Sequence, residues 1–199
     1  MAASPAIVRF RIVLWALVVV AAIGATALYV FRPPAQPMGV TGTPFTLEST
    51  AGGTFTQNDL RGTPSLVFFG YTHCPDVCPT TMAESAAWRE ELALGPEALR
   101  TLFITVDPER DTRDLLAGYV SAFGDGIVGL VGTPEETEAA KRAFGAMSEK
   151  GEPDEHGYYL VNHTASVFLI DADGRFQGTI AYGEDTGTAI AKIRRLVGV

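Results

Sequence analysis

Residues 65 to 82, SLVFFGYTHCPDVCPTTM, constrain this chain more than any other stretch. Ser65 to Phe69 is an unbroken apolar run of strand length, the pattern of a buried strand. Gly70 breaks it, and a short loop then carries the only two cysteines, Cys74 and Cys78. Each is followed by a proline, which pushes the preceding residue away from helical dihedrals. Both cysteines are therefore expected to be extended, with neither inside a helix. Pro79 suits the first position of a helix, where its missing N–H would have no partner anyway. Cys78 would then be the N-cap, and both sulfurs would lie at the positive end of that helix. Such a field favours thiolate over thiol, and the thiolate is both nucleophile and metal ligand.

Two cysteines four positions apart permit a structural disulfide, a redox dithiol or a pair of metal ligands. A staple across so short a loop contributes little. Redox dithiols usually have two intervening residues, and here there are three. The wider spacing lets both sulfurs converge on one ion while still permitting a disulfide. Two thiolates leave a metal site incomplete, so a third ligand must come from elsewhere. Thiolates with an imidazole suit Cu(I), with zinc as competitor. Structural zinc wants four protein ligands, and a second cysteine pair is absent from the sequence.

The chain has three histidines, His73, His156 and His163. His73 adjoins Cys74 and would point away from it in an extended segment. His156, within GEPDEHG, reads as solvated. His163 lies just before the apolar strand Ala165 to Ile170, beside the expected place of the cysteine loop. It is the preferred third ligand.

Ile12 to Phe31 is a run of 20 residues without a charge, long enough to span a bilayer. Arg9 and Arg11 precede it, and all 23 acidic residues follow it. The positive-inside rule then gives a cytoplasmic segment 1–11, a transmembrane anchor 12–31 and a translocated remainder. A cleaved signal peptide ending near Ala25-Thr26-Ala27 is the alternative, but the run exceeds a usual signal core. Residues 32–42, rich in Pro and Gly, read as a linker. Residues 43–199 form the expected domain. Its acidic balance offers no nucleic-acid-binding surface.

Phe45 to Thr56 alternates around Gly52-Gly53 and predicts a β-hairpin. Asn58 to Leu60 reads as a turn. The helix from Pro79 should stop near Leu94, before Gly95-Pro96. Leu99 to Val106 predicts a second buried strand, followed by Asp107 to Asp111. Ligands of open α/β sheets gather beyond the C-terminal ends of strands, so Asp107 and Asp111 could approach the cysteine loop, one of them supporting its ligands from behind or docking a partner. The competing reading makes Asp111 the cap of a helix from Thr112 to Phe123. Ile127 to Val131 predicts a strand, and Thr133 with Pro134 opens a further helix ending near Gly145. Met147 to Tyr159 reads as an inserted loop or hairpin. Ala165 to Ile170 and Arg175 to Tyr182 form a hairpin through Asp173-Gly174, and Asp185 to Leu196 is a last helix. The fold class is α/β, a mixed sheet flanked by helices, preceded by one transmembrane helix.

GYTHCPDVCPTT, FITVDPERDT and YLVNHTASVFLIDADG occur in this order and resemble the SCO/SenC family of copper-binding, thioredoxin-like proteins. The resemblance runs from about Phe45 to the C-terminus. It implies one copper ion, as Cu(I) or Cu(II), bound by Cys74, Cys78 and His163. It also implies a part in metallating the binuclear copper centre of cytochrome c oxidase subunit II. One departure is Asn162, where the family often has Asp. The expected protein is a membrane-anchored copper metallochaperone of the bacterial inner membrane, with its soluble domain in the periplasm. Its expected partners are the subunit II copper site, a copper-donating chaperone and a thiol reductant. The alternative is a specific thiol–disulfide reductase that keeps the partner's cysteines reduced, with Cys74 and Cys78 as its redox-active pair. A copper or redox sensor is a third reading.

Overall fold

The computed structural model describes residues 5–30 and 41–199. Most of the expected linker, with Phe31 and the first four residues, lies outside them. The chain divides into two compact units, Met1–Gln36 and Pro37–Val199. The first holds one helix, α1 (Pro5–Val30). Its window Arg9–Thr26 is long and apolar enough to cross a membrane, and Leu14, Trp15 and Leu17 on it are exposed.

The second unit begins with a hairpin, β1 (Thr46–Ser49) and β2 (Thr54–Thr56), paired antiparallel as the alternation predicts. The turn expected over Asn58 to Leu60 is a short 3-10 helix, Gln57–Leu60. Thr56 and Asp59 cap it reciprocally, so its free N–H groups find side-chain oxygens. Then come β3 (Ser65–Gly70), α2 (Val77–Glu91), β4 (Arg100–Thr105), α3 (Arg113–Ser121), β5 (Ile127–Val131) and α4 (Pro134–Phe144). A small ribbon follows, β6 (Ser148–Lys150) with β7 (Val161–His163). The chain ends in β8 (Val167–Ile170), β9 (Phe176–Ile180) and α5 (Thr186–Val197).

Seven strands form one mixed sheet in the order β2-β1-β5-β4-β3-β8-β9. β3 pairs parallel with β4 and antiparallel with β8. Every residue of β3 is buried, which is why its sequence is a continuous apolar run rather than an alternating one. α5 packs on β8 and β9, α3 on β5, and α2 meets α5. Phe68, Phe69, Phe103 and Phe144 fill the core with no exposure beyond 1%.

The mixed order fixes where the ligands can meet. The loop after β3 leaves the C-terminal end of that strand. Because β8 runs the other way beside it, the chain enters β8 at the same rim. Residues far apart in sequence therefore share one edge of the sheet.

Two sequence expectations fail at α2. Cys78 is not extended but lies in the first turn of the helix, whose N-cap is Asp76 and whose first residue is Val77. Pro79 is then the third residue. Its nitrogen still has no intrahelical acceptor there, so the ring costs no hydrogen bond. The helix also stops sooner, at Glu91, with Ala93 in a left-handed conformation at φ 50. Elsewhere α4 starts at Thr133 and Pro134 and ends on Gly145 in a left-handed cap, as its sequence predicts.

Candidate metal centre

β3 delivers the loop Tyr71 to Asp76 to the sheet rim, and α2 carries Cys78 back beneath it. Cys74, half-buried in that loop, turns so that its N–H reaches the Tyr71 carbonyl at 3.2 Å. Its Sγ accepts the backbone N–H of Cys78 at 3.4 Å. The helix's first turn thus gives Cys74 Sγ a backbone hydrogen bond. Cys78 is fully buried. Burial pushes its thiol well above the usual cysteine range, outweighing the opposing hydrogen bond from the Tyr71 backbone. The expected thiolate is not the resting form of Cys78, because desolvation overrides the helix field.

β7 ends in His163, half-buried, which sets its imidazole on the buried sulfur. His163 Nε2 lies 3.4 Å from Cys78 Sγ. Its Nδ1 lies 3.1 Å from the Thr164 carbonyl. A carbonyl only accepts, so Nδ1 carries the proton and Nε2 presents its lone pair to the sulfur. Burial lowers the pKa of this ring, more than the Thr164 carbonyl raises it. The neutral imidazole that a metal requires is therefore the stable form. The rings of Tyr71 and Phe68 stand edge-on to it, with centroids 5.8 Å away. One ligand atom from each of Cys74, Cys78 and His163 lies within 4.8 Å of the other two. Both cysteines are free thiols.

The remaining candidates separate clearly. His73 Nδ1 pairs with Thr72 Oγ1 at 3.0 Å and is outside the cluster. His156 is exposed and faces Glu155. Asp111 is fully buried and does not cap α3; the cap is Thr112, whose hydroxyl accepts from Leu115 N. The Asp111 carboxylate instead ties down the cysteine loop. It accepts from Thr72 N at 3.0 Å, Thr72 Oγ1 at 2.6 Å and Thr105 Oγ1 at 2.6 Å. Asp107 does not reach the loop. It pairs with Arg110 and accepts from Tyr159 Oη at 2.9 Å, beneath the inserted ribbon.

A sequence model of the SCO1/SenC family matches residues 33–198. The chain belongs to the SCO1/SenC family. Among SCO1/SenC relatives, the human mitochondrial protein SCO1 homolog is 38% identical over 155 residues, covering 76% of this chain and 51% of the human protein. Protein SenC of Rhodobacter capsulatus is 39% identical over 133 residues, 65% of this chain and 58% of SenC. This chain thus spans about half the length of the curated relatives it matches. Bradyrhizobium japonicum ScoI, solved with copper bound, superposes with a TM-score of 0.69 at 37% identity, covering 80% of this chain and 99% of that one. Yeast Sco1 with copper bound gives a TM-score of 0.70 at 32% identity, covering 81% and 88%. The fold is the thioredoxin-like arrangement of this family, a mixed sheet flanked by helices.

One supporting residue escaped the sequence reading. Gly70 reads as a strand breaker, yet it is the last, buried residue of β3. A Cβ there would lie 2.8 Å from Cys78 Sγ, 2.8 Å from Phe103 Cζ and 2.9 Å from Phe68 Cε1. Its backbone conformation is ordinary, so glycine is needed for space alone. A glycine closing an apolar run just before a cysteine loop is the available signal. Gly70→Ala is expected to push Cys78 off His163 and to cost about 1–3 kcal/mol of stability. Thermal melting and metal titration of that variant check both effects.

Proposed function

We propose that this protein is a membrane-anchored copper metallochaperone that serves the assembly of cytochrome c oxidase. Cys74 and Cys78 bind copper as thiolates, and His163 binds through Nε2. The observation that carries this reading is the convergence of two sulfurs and one neutral imidazole at a sheet rim. That donor set is soft and incomplete for structural zinc, and it suits Cu(I) in trigonal coordination. Copper-bound relatives above 30% identity support it. Uptake removes the proton from the buried Cys78, so metal binding is coupled to proton release. Transfer proceeds by ligand exchange, with an acceptor's cysteines displacing Cys74, the less buried of the two sulfur donors, first. The acceptor is the binuclear copper site of subunit II, and a separate chaperone supplies the copper.

The remaining assignments follow from α1 and the surrounding chemistry. The helix spans the bacterial inner membrane once, with segment 1–11 cytoplasmic and 32–42 tethering the domain 43–199 in the periplasm. In that oxidising compartment the two thiols close to a disulfide unless a thiol reductant intervenes. Asp111 supports the ligands from behind, through Thr72.

Titrating the reduced protein with Cu(I) and Cu(II) tests the reading. One equivalent should bind, and Cu(II) should give a sulfur-to-copper charge-transfer band. Binding of copper by the disulfide form as tightly as by the dithiol would refute the ligand set.

A second reading has one observation in its favour, the closeness of two free thiols of unequal exposure. As a thiol–disulfide reductase, Cys74 attacks a partner disulfide and Cys78 resolves the mixed disulfide. The partner gains two thiols while this protein gains one disulfide.

A further inference from the structure

Resting on the copper-binding reading, we infer that Arg110 is a positioning residue that holds His163 against the sulfurs and sets how fast the site opens. β7 belongs to a ribbon of two three-residue strands. A ribbon so short has little stability of its own. Contacts to the main body must therefore decide where His163 stands.

Arg110 lies at the centre of those contacts. Its Nε pairs with the Asp107 carboxylate. Its Nη1 donates to the Tyr159 carbonyl at 3.0 Å. The guanidinium carbon sits 3.6 Å from the Tyr159 ring centroid, 5.6 Å from that of Tyr71 and 5.9 Å from that of Tyr158. Tyr159 Oη returns to Asp107 at 2.9 Å, which closes the circuit. Lys150 Nζ stands 4.1 Å from the same ring and pairs with Glu109 at 2.6 Å.

Two routes lead from Arg110 to the imidazole. Along the backbone, Tyr159 lies two residues before Val161, the first residue of β7. Through space, Tyr71 accepts the Val161 N–H on its hydroxyl at 3.2 Å and packs its ring perpendicular to that of His163. One cation thus holds both the strand that carries the ligand and the ring that buttresses it. The ribbon is also fastened by Lys141 Nζ to Ser148 Oγ at 2.8 Å, on the β6 residue paired with His163, and by Tyr158 Oη to the His73 carbonyl at 3.3 Å. Neither bond involves β7. A planar guanidinium can stack on Tyr159 and donate sideways at once, which an ammonium cannot. Arg110→Lys should therefore rescue only in part.

The test uses the reduced full-length protein with Arg110→Ala, Arg110→Lys and Tyr159→Leu. In the metal-free state, hydrogen exchange of the Val161 amide should quicken about tenfold or more in Arg110→Ala, less in Arg110→Lys, with the β3 and β4 amides unchanged. Release of bound Cu(I) to a colorimetric chelator should quicken in the same order, with the stoichiometry still one. Should Arg110→Ala not fold, Tyr159→Leu, which removes the stacked ring, carries the same comparison. Unchanged Val161 exchange and unchanged release in a folded variant would overturn the inference. A wild-type protein that takes up no copper would defeat the copper-binding reading, while Val161 exchange would still decide the role of Arg110.

Discussion

His163→Ala is expected to lower copper affinity more than about 100-fold while leaving thiol–disulfide exchange by Cys74 and Cys78 intact. Partners that merely orient a metal ligand are worth 10–100-fold, and His163 is proposed as a ligand itself. Its loss leaves two sulfurs, one of them buried with its thiol pKa raised by desolvation. The metal alone would then have to drive that deprotonation. The alanine also removes the acceptor that faces Cys78 Sγ at 3.4 Å. Competition with a calibrated Cu(I) chelator measures the affinity, and the rate of reduction of a model disulfide measures the exchange. Wild-type affinity in this variant would eliminate the three-donor site and leave the reductase reading. Parallel loss of both properties would point to unfolding, which a melting curve reveals.

Asp111→Ala is the second large effect, and its cause lies one layer behind the donors. Removing the carboxylate orphans Thr72 N–H and the Thr105 hydroxyl proton and leaves Thr72 Oγ1 with His73 Nδ1, 3.0 Å away, as its remaining partner. Each buried unsatisfied group costs about 1–3 kcal/mol. Relief from burying a charge offsets part of this, so a net loss of about 2–4 kcal/mol is expected. For a domain of this size that corresponds to roughly 5–15 °C in Tm. Copper affinity should fall by about 10–100-fold, because Thr72 begins the loop that aims Cys74. Asp111→Asn should be much milder. Its oxygen can keep the Thr72 N–H and Thr105 bonds, and its amide can donate to Thr72 Oγ1, whose proton then turns to His73 Nδ1, 3.0 Å away. Equal damage from the alanine and asparagine variants, read by calorimetry and copper competition, would show that the charge rather than the bonding network matters.

The elements of this fold were legible because their signals are local. β3 announces itself as an apolar run, α4 by Thr133, Pro134 and Glu136, and the last hairpin by Asp173-Gly174. Cys74, Cys78 and His163 were legible by residue type and by family resemblance, and the structure brings their donor atoms together. What escaped was settled by tertiary packing. Cys78 joined the helix because Pro79 loses nothing in a first turn, and its burial then outweighed the helix field. Asp111 looks like a cap in sequence, since Asp before Thr and a helical stretch fits that role. Only the approach of Thr72, 39 residues earlier, gives its carboxylate other work. Arg110 gave no signal at all, because its three tyrosine neighbours come from two distant segments.

The antiparallel pairing of β3 with β8 also sets a timetable. Cys78 leaves the ribosome 85 residues ahead of His163. At roughly 5–20 residues per second the delay is about 4–17 s. Through that interval the newborn thiols lack the His163 ring, and β8 has yet to dock on the flank of β3. The proposed three-donor site cannot form before His163 has emerged, so metal loading in that geometry would report that β8 has docked on β3.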